Sequence, residues 1–487
     1  MTRLLLAKRH SILLAVAVGF SLCVSEARAE QPTVNLEEGR AVFKQQCSRC
    51  HGITGAGDGP DAKRLFPKPR DLARGVYKFR TTATGTPPTD EDLFRTISEG
   101  LPGSGMPSFG GLDDETQWQL VAYVKSLSPV FAESQPQPLQ LSAGAPGEAS
   151  SKSRSQAAEP PASAIDHAKG KQLYNDFGCV ACHGAVGRGN GPSALTLTDD
   201  LGEPIEAANL TQGWRYRGGH KASDVFARLM AGLDGTPMPS YVDAISPEDG
   251  WQVAHYVQSL QQAPQWGERL QVARVDGALP TAADDPAWEQ APRLDVPLDG
   301  AVYDDGRVVP TRVHLVSVWA VTDGEAIVWR LAWHDPSDSA RRVEGEEPAL
   351  PDAIALVLRP SGVTEEVGSV LVWPSGDAPK LDIVYWASDQ VGATEAVAGS
   401  FEGLTGAALE SAVRYDDGER TLVVRRPLRL NDAPGAAEIA ADGAAVPVAL
   451  VAWDGGNNEQ GRVRSASTWI TLATGTPAAP KSHASSH

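Results

Sequence analysis

The sequence predicts a multidomain protein in which two all-α domains are followed by a C-terminal all-β sandwich. Three observations support this fold class. The motif Cys47-Ser48-Arg49-Cys50-His51 recurs as Cys179-Val180-Ala181-Cys182-His183, and helical patterns flank both copies. Short apolar runs separated by turn signals then fill residues 269–474. With 487 residues, the chain is long enough for about three domains of ordinary size.

Residues 1–29 have the pattern of a secretory signal. A basic start precedes an apolar run over 11–24, and Ala27-Arg28-Ala29 matches a signal-cleavage site. The alternative is a retained membrane anchor, but the apolar run is short for a spanning helix. We therefore expect an exported, periplasmic protein without a retained transmembrane segment.

The cysteines define the chemistry of the two repeated motifs. Of the five cysteines, Cys23 lies in the signal and the other four all belong to the motifs. No thiol remains for a structural disulfide, and a zinc site is disfavoured because each pair brings its own His and no further Cys. Cys-x-x-Cys-His is the attachment motif of a c-type haem, in which the thiols bond to the porphyrin edge and the His reaches the iron. The sequence thus predicts two covalent haem c groups, held by Cys47, Cys50 and His51 and by Cys179, Cys182 and His183.

The first domain, residues 35–128, places this motif between two predicted helices. Leu36–Gln46 leads into the motif, with Gly39 and Phe43 on one face. The last helix carries an apolar stripe at the helical spacing, formed by Leu120, Tyr123, Val124 and Leu127. This arrangement resembles the class I cytochrome c fold. The resemblance implies that the first and last helices cross where a small residue such as Gly39 permits close contact.

Met106 stands between Gly105 and Pro107, before the last helix of this domain. The resemblance implies that a Met in such a loop is the sixth ligand of the iron. A thioether is a soft donor, and His/Met ligation raises the reduction potential. The alternative is that Met106 fills a gap in the core. Tyr77-Lys78-Phe79-Arg80 is a candidate donor cluster for the haem propionates, or else an ordinary solvated surface.

Residues 129–165 are predicted to form a flexible linker. They are rich in Pro, Ala, Ser, Gln and Gly and contain almost no aromatic residues, so they offer little apolar surface to bury. The first domain is then either a carrier tethered to the rest of the chain or a domain docked on the second, with the linker wrapped around it.

The second domain, residues 166–262, is an internal repeat of the first. Gly170 and Tyr174 correspond to Gly39 and Phe43, and His183 precedes Met238 by the same 55 residues that separate His51 from Met106. Met238 is therefore the predicted second iron-ligating Met. Its competitors are Met230, which we expect in the core, and His220 and His255, which we expect on a surface or helix face. Arg215-Tyr216-Arg217 repeats the basic and aromatic cluster of the first domain.

The region 269–474 predicts the β sandwich, and residues 475–487 form a tail. Its apolar runs are rich in Val, Ile, Leu and Trp and are bounded by turn residues. They are Val313–Ala320, Ala326–Trp333, Ala353–Leu358, Leu381–Trp386, Thr421–Val424, Val446–Trp453 and Ser467–Leu472.

This region resembles the haem-binding γ-subunit domain of the ethylbenzene-dehydrogenase and DMSO-reductase type II family. The likeness lies in Pro286-Ala287-Trp288, His314–Trp319, Leu381–Trp386 and Ser467-Thr468-Trp469. It implies haem b bound between a Met and a Lys. However, Ser369–Trp373, where the Met is expected, has none, and Gly461–Arg464 offers arginine, a poor iron ligand, in place of the Lys. The remaining candidate ligands are His314, His334 and Lys380. The alternative is that these residues have surface or structural roles. The β domain would then serve only for docking.

The sequence therefore predicts a periplasmic dihaem electron-transfer protein. The resemblance implies a role as cytochrome subunit or redox partner of a molybdenum oxidoreductase of nitrite or nitrate type, and thus contact with its α and β subunits. The net charge of −18 becomes −21 when the signal is removed. Such a negative charge repels nucleic acid, and it suits either a basic redox partner or simple solubility. One alternative is a dihaem enzyme such as a peroxidase, although that needs an open iron position. The other is a ligand-binding β sandwich fused to an electron relay.

Overall fold

A computed structural model describes residues 35–139, 158–300, 311–338, 350–361, 363, 379–429, 435–440 and 445–475. Several sequence predictions lie outside these residues. They concern the signal at 1–29, the middle of the linker, the Ser369–Trp373 stretch and nearly all of the tail. Among the helices that the structure describes, none combines the length and apolar character needed to cross a bilayer.

The structure describes four α-helices in the first repeat and a fifth, short helix at the start of the predicted linker, and short polar side chains cap the N-termini of three of these five helices. Asn35 accepts a hydrogen bond from the Glu38 amide, and Asp113 accepts one from the Thr116 amide. A π-helical turn at Phe43–Cys47 separates the first two helices and delivers the chain into the motif. The helices are α1 (Leu36–Val42), α2 (Ser48–His51), α3 (Asp90–Glu99), α4 (Asp114–Ser126) and α5 (Val130–Glu133).

The second repeat has the same order of helices. Ser246 accepts a hydrogen bond from the Asp249 amide and Pro247 occupies the first position of the last helix, where its missing N–H costs nothing. The helices are α6 (His167–Asp176), α7 (Val180–His183), α8 (Ala222–Ala231) and α9 (Pro247–Ser259).

The first and last helices of each repeat cross in close contact, as expected. A Cβ atom built on Gly39 would lie within 2.2 Å of the Gln119 carbonyl oxygen of α4. The corresponding distance from Gly170 to the Gln252 carbonyl oxygen of α9 is 2.3 Å. Only glycine therefore fits at either crossing, and the crossing fixes where the haem-attachment motif that follows each first helix lies.

The predicted linker is ordered at its start, unlike the expectation from its composition. The Phe131 ring, in α5, lies 5.6 Å from the Tyr77 ring. The Leu139 amide donates to the Thr81 carbonyl, and the Leu139 side chain packs on the cluster around Met230 of the second repeat. The segment is polar on average, so its composition gives no sign of the few apolar side chains that make these contacts. Residues 140–157 lie outside the described part of the chain.

The C-terminal domain is an all-β structure, which confirms the predicted class. Its strands pair in the order β1-β14-β12-β7-β8-β9-β10-β11-β6-β5-β2, with β3, β4 and β13 at the side. They are β1 (Arg269–Gln271), β2 (Ala273–Arg274), β3 (Leu294–Pro297), β4 (Asp299–Gly300), β5 (Leu315–Thr322), β6 (Ala326–His334), β7 (Ala353–Leu358), β8 (Leu381–Ala387), β9 (Ala393–Ala398), β10 (Ala407–Asp416), β11 (Glu419–Pro427), β12 (Ala445–Trp453), β13 (Ser465–Ala466) and β14 (Ile470–Ala473).

The strand order makes the sheet nearly closed. β1 and β2 lie at opposite ends of the order, yet only Val272 separates them along the chain. The sheet thus folds back on itself around an apolar interior that includes the fully buried Trp329, Ile327 and Leu356. Each predicted apolar run overlaps a strand, whereas β1 to β4, β9, β10 and β13 were not predicted. The longest of these, β10, has mostly exposed side chains and follows no apolar alternation.

Replacing Gly39 with alanine should destabilise the first repeat by about 2 kcal/mol or more, because the new methyl group would collide with the α4 backbone. This loss should exceed the gain in helix propensity of about 1 kcal/mol. Gly111→Ala is the matched control, since a Cβ there meets no atom within 4 Å. Urea unfolding followed by circular dichroism measures both, and equal midpoints for the two variants would contradict the tight crossing.

Candidate haem sites

The first motif holds one histidine in an orientation suited to binding iron. His51 Nδ1 donates a hydrogen bond of 2.9 Å to the Arg70 carbonyl oxygen, which leaves Nε2 as the nitrogen free to bind a metal. Gly52, with φ of 76°, ends the helix immediately after this residue. The Gly57 amide then donates to the His51 carbonyl, so the following loop folds back beside the motif.

The second motif repeats this geometry. His183 Nδ1 donates to the Ala208 carbonyl oxygen at 3.0 Å, and Gly184 ends the helix with φ of 78°. The Gly189 amide donates to the His183 carbonyl. Burial lowers the pKa of both His51 and His183, which favours the neutral imidazole that metal binding requires.

The two predicted Met ligands occupy loops of the same construction. Ser104 Oγ accepts from the Met106 amide at 3.2 Å and donates to the Leu101 carbonyl at 2.7 Å. In the second repeat, Thr236 Oγ1 accepts from the Met238 amide at 3.2 Å and donates to the Leu233 carbonyl at 2.7 Å. Hydroxyl side chains thus hold both loops in the same way. The two methionines therefore match in local structure as well as in their 55-residue distance from the histidine.

All eight predicted haem-binding residues line one continuous cavity of about 1230 Å³ between the repeats. They are Cys47, Cys50, His51, Met106, Cys179, Cys182, His183 and Met238. The four thiols are free, and those of Cys47, Cys50 and Cys182 are partly accessible. In each half of the cavity, two thiols, an anchored imidazole and a thioether face a shared space, and this donor set suits a covalently attached haem.

Basic side chains surround this cavity, as the propionate hypothesis requires. Lys78 lines the first half, and burial lowers its pKa to about 8. Arg215 and Arg228 line the second half, and burial lowers the pKa of each to about 10. Such buried cations favour an anionic ligand. Arg80, the last residue of the predicted donor cluster, does not line the cavity, so its inclusion was wrong.

Arg80 instead fastens the first repeat to the second. Its buried guanidinium lies 2.6 Å from Asp234 and donates to the Ala231 carbonyl at 3.1 Å. Three further ion pairs join the two repeats, from Arg95 to Asp224 at 2.5 Å, from Arg74 to Asp200 at 2.9 Å and from Lys68 to Glu203 at 3.6 Å. These contacts favour the docked arrangement over the tethered carrier.

The competing ligands in the second repeat lie outside the cavity. Met230 is fully buried beside the stacked rings of Phe226 and Trp251, which confirms its expected place in the core. His220 is exposed, and His255 Nε2 lies 3.1 Å from a Glu159 carboxylate oxygen.

The β domain also contributes to the cavity, which sequence reasoning missed. Arg312, His334 and Pro336 line it beside the second motif. His334 is one of the predicted candidates for haem b ligation, but it lines the cavity together with residues of the second repeat. Of the other candidates, Lys380 is exposed and His314 lies near Arg215 and Arg217. No local sequence pattern marks these residues, because only the packing of two domains brings them to the cavity.

Comparisons with known proteins agree with this geometry. Residues 34–124 match the family of cytochrome c oxidase, cbb3-type, subunit III, and residues 167–261 match the cytochrome c family. Both repeats are cytochrome c domains. Domains of this family carry covalent haem c and transfer electrons.

Similar proteins occur in several redox systems. A Haloferax mediterranei protein provisionally named respiratory nitrate reductase heme subunit ORF7 is 26% identical over 39% of this chain and 66% of its own length. The cbb3-type cytochrome c oxidase subunit CcoP of an Azospirillum species is 28% identical over 46% of this chain and 61% of its own length. The chain thus spans less than two thirds of these relatives. A solved chain from a Kuenenia stuttgartiensis reducing HAO-like protein complex is 40% identical over 47% of this chain and 98% of its own, with a TM-score of 0.41.

Removing the Arg80 side chain should loosen the contact between the two cytochrome domains. Breaking a buried ion pair costs about 3–5 kcal/mol because the remaining carboxylate is left uncompensated. Hydrogen–deuterium exchange of Arg80→Ala should therefore increase at Thr81–Thr84 and at Asp234.

The matched control is Lys68→Ala, which removes an exposed interdomain pair with Glu203 at 3.6 Å. Such pairs contribute about 0–1 kcal/mol, so exchange should change little. Unchanged exchange in Arg80→Ala would contradict a firmly docked pair of domains.

Proposed function

We propose that this chain is an exported dihaem electron-transfer protein that acts as the cytochrome subunit or redox partner of a molybdenum oxidoreductase. The observation that carries the dihaem proposal is the single cavity lined by both attachment motifs, each with its anchored histidine and its methionine. Haem c supplies one-electron redox chemistry when it is bound.

Each group of residues has a distinct role in this proposal. Cys47 and Cys50 attach one haem, and Cys179 and Cys182 attach the other. His51 with Met106, and His183 with Met238, would hold the two irons. Arginine and lysine side chains around the cavity compensate the propionate charges, and Arg80 keeps the two domains together. Because both sets of residues line one cavity, they would hold two haems in one continuous space within the chain.

The proposed axial methionines close both irons, which favours electron transfer over the peroxidase alternative. A catalytic haem needs an open iron position, whereas both Met loops have the same hydrogen-bonded form. This similarity supports two relay sites rather than one relay and one catalytic site.

The proposed partner is supported by the name of the Haloferax relative, which refers to a nitrate reductase heme subunit. The β domain would then dock on the molybdenum-containing partner, in line with the γ-subunit resemblance. Purification of the tagged chain from its own cells, followed by molybdenum analysis, tests this. We expect molybdenum to co-purify in stoichiometric amount. If a chain with both haems contained none, the proposal of a molybdenum-containing partner would be rejected and the protein would be a free electron carrier.

Cys47→Ala/Cys50→Ala should reduce the number of covalent haems from two to one, because the thioether bonds to the first haem are lost. Cys179→Ala/Cys182→Ala should do the same for the second. A pyridine haemochrome assay with protein quantification counts the haems. One haem in the unmodified chain, or two in either variant, would contradict the proposal. Cell fractionation of the unmodified chain tests export.

Met106→Ala and Met238→Ala should each convert one haem from low spin to high spin and lower its reduction potential, because the thioether ligand is lost. Visible spectra and redox titration measure both effects. Met230→Leu is the control, since Met230 packs in the core away from the cavity. A low-spin spectrum in both alanine variants would mean that other ligands complete the iron coordination.

A further inference from the structure

The β domain is docked against the loop that follows the second attachment motif. Arg188 Nη1 donates to the Asp416 carbonyl at 2.9 Å, and Asn190 Nδ2 donates to Asp417 Oδ1 at 2.8 Å. Asp416 to Glu419 form the turn between β10 and β11, which we call the docked turn. Arg188 also lies 3.5 Å from Glu419. The second cytochrome domain and the β domain therefore share a specific polar interface.

The docked turn holds His334 at the cavity. His334 Nδ1 lies 3.1 Å from the Gly418 carbonyl oxygen and must donate to it, because a carbonyl oxygen only accepts. No described residue forms a hydrogen bond with Nε2, although His334 lines the cavity near the second motif. The imidazole thus presents an unpartnered nitrogen to the space where the second haem is proposed to bind.

The surroundings of His334 are positively charged. Arg215 and Arg217 of the second repeat line the same part of the cavity, as does Arg312 of the β domain. Burial chiefly, together with Arg215 and Arg188, lowers the pKa of His334 to about 4. The nearby Glu206, 3.4 Å from Arg312, is half exposed, so this region favours an additional buried anion.

Haem c carries two carboxylates, and a carboxylate matches both the positive charge and the free nitrogen. We propose that His334 of the β domain binds a propionate of the haem attached to Cys179 and Cys182, and so tunes its reduction potential. This inference rests on the proposed haem at that site. His334 is a positioning residue, since it acts on the haem through the carboxylate and not on the iron.

The pair of His334 and a propionate shares one proton. With Nδ1–H bound to Gly418, Nε2 accepts the proton of the carboxylic acid, or carries it as imidazolium and donates it to the carboxylate. Reduction adds one negative charge to the haem and favours uptake of this proton from water, and oxidation releases it. The groups that face His334 and set this equilibrium are Asp335 beside it, His314, Arg188, Arg215, Arg312 and Glu419.

The test is a spectroelectrochemical titration of full-length holoprotein between about pH 4 and pH 8, because a carboxylate bound to His334 raises the pKa of the imidazole from about 4 towards the ordinary histidine range. One haem should become harder to reduce as the pH rises, with the equilibrium constant changing by up to tenfold per pH unit for one proton per electron. In His334→Gln, this dependence should disappear while the other haem keeps its potential. His220→Gln is the matched control, because His220 is exposed and does not line the cavity.

The haem count separates this inference from the proposed function. Two covalent haems with unchanged titration curves in His334→Gln would overturn the inference and leave the dihaem proposal intact. Equal shifts of both haems would also overturn it, because they would indicate a general structural loss. If His334→Gln does not accumulate in cells, His334→Asn replaces it in the same titration. Asn190→Ala, which weakens the domain interface but keeps His334, is then its control.

Discussion

The close contact between the first and last helices of each cytochrome repeat is the constraint on which the site geometry depends. The glycines at both crossings let two backbones meet without an intervening side chain, and the Phe43–Tyr123 and Tyr174–Tyr256 ring pairs pack beside them. The attachment motif follows the first helix directly, so the crossing decides where the thiols and the histidine point. A side chain at either glycine would displace the motif from the loop that anchors its histidine.

The second level of organisation is the joining of three domains around one space. The buried Arg80 ties the first repeat to the second, and the docked turn ties the β domain to the second. The cavity consequently has walls from all three domains. The second repeat occupies the middle of this arrangement and contacts both neighbours, so its haem environment depends on each of them.

Local patterns predicted much of this architecture. The thiols and histidines are adjacent in sequence, and the Met residues recur at a fixed distance, so a repeat comparison finds them without a fold. Strands with buried side chains were also predictable, because they form continuous apolar runs. Residues whose role comes from long-range packing could not be found this way. Arg80 has the sequence context of a haem-facing cation but is drawn to Asp234, more than 150 residues away, and His334 reaches the cavity only through domain docking. The ordered start of the linker was also not predicted, because a few apolar residues hold it and they hardly change the average composition of the segment.

The burial of the Arg80–Asp234 pair has a consequence for behaviour in salt. Added ions screen exposed charges over about 10 Å at 0.1 M, but they act much less on a pair whose guanidinium is fully enclosed. An increase in ionic strength should therefore weaken the encounter of this acidic protein with a separate partner while the two cytochrome domains remain docked. Transfer between the haems is then a first-order step, whereas exchange with the partner is a second-order step that depends on salt and concentration.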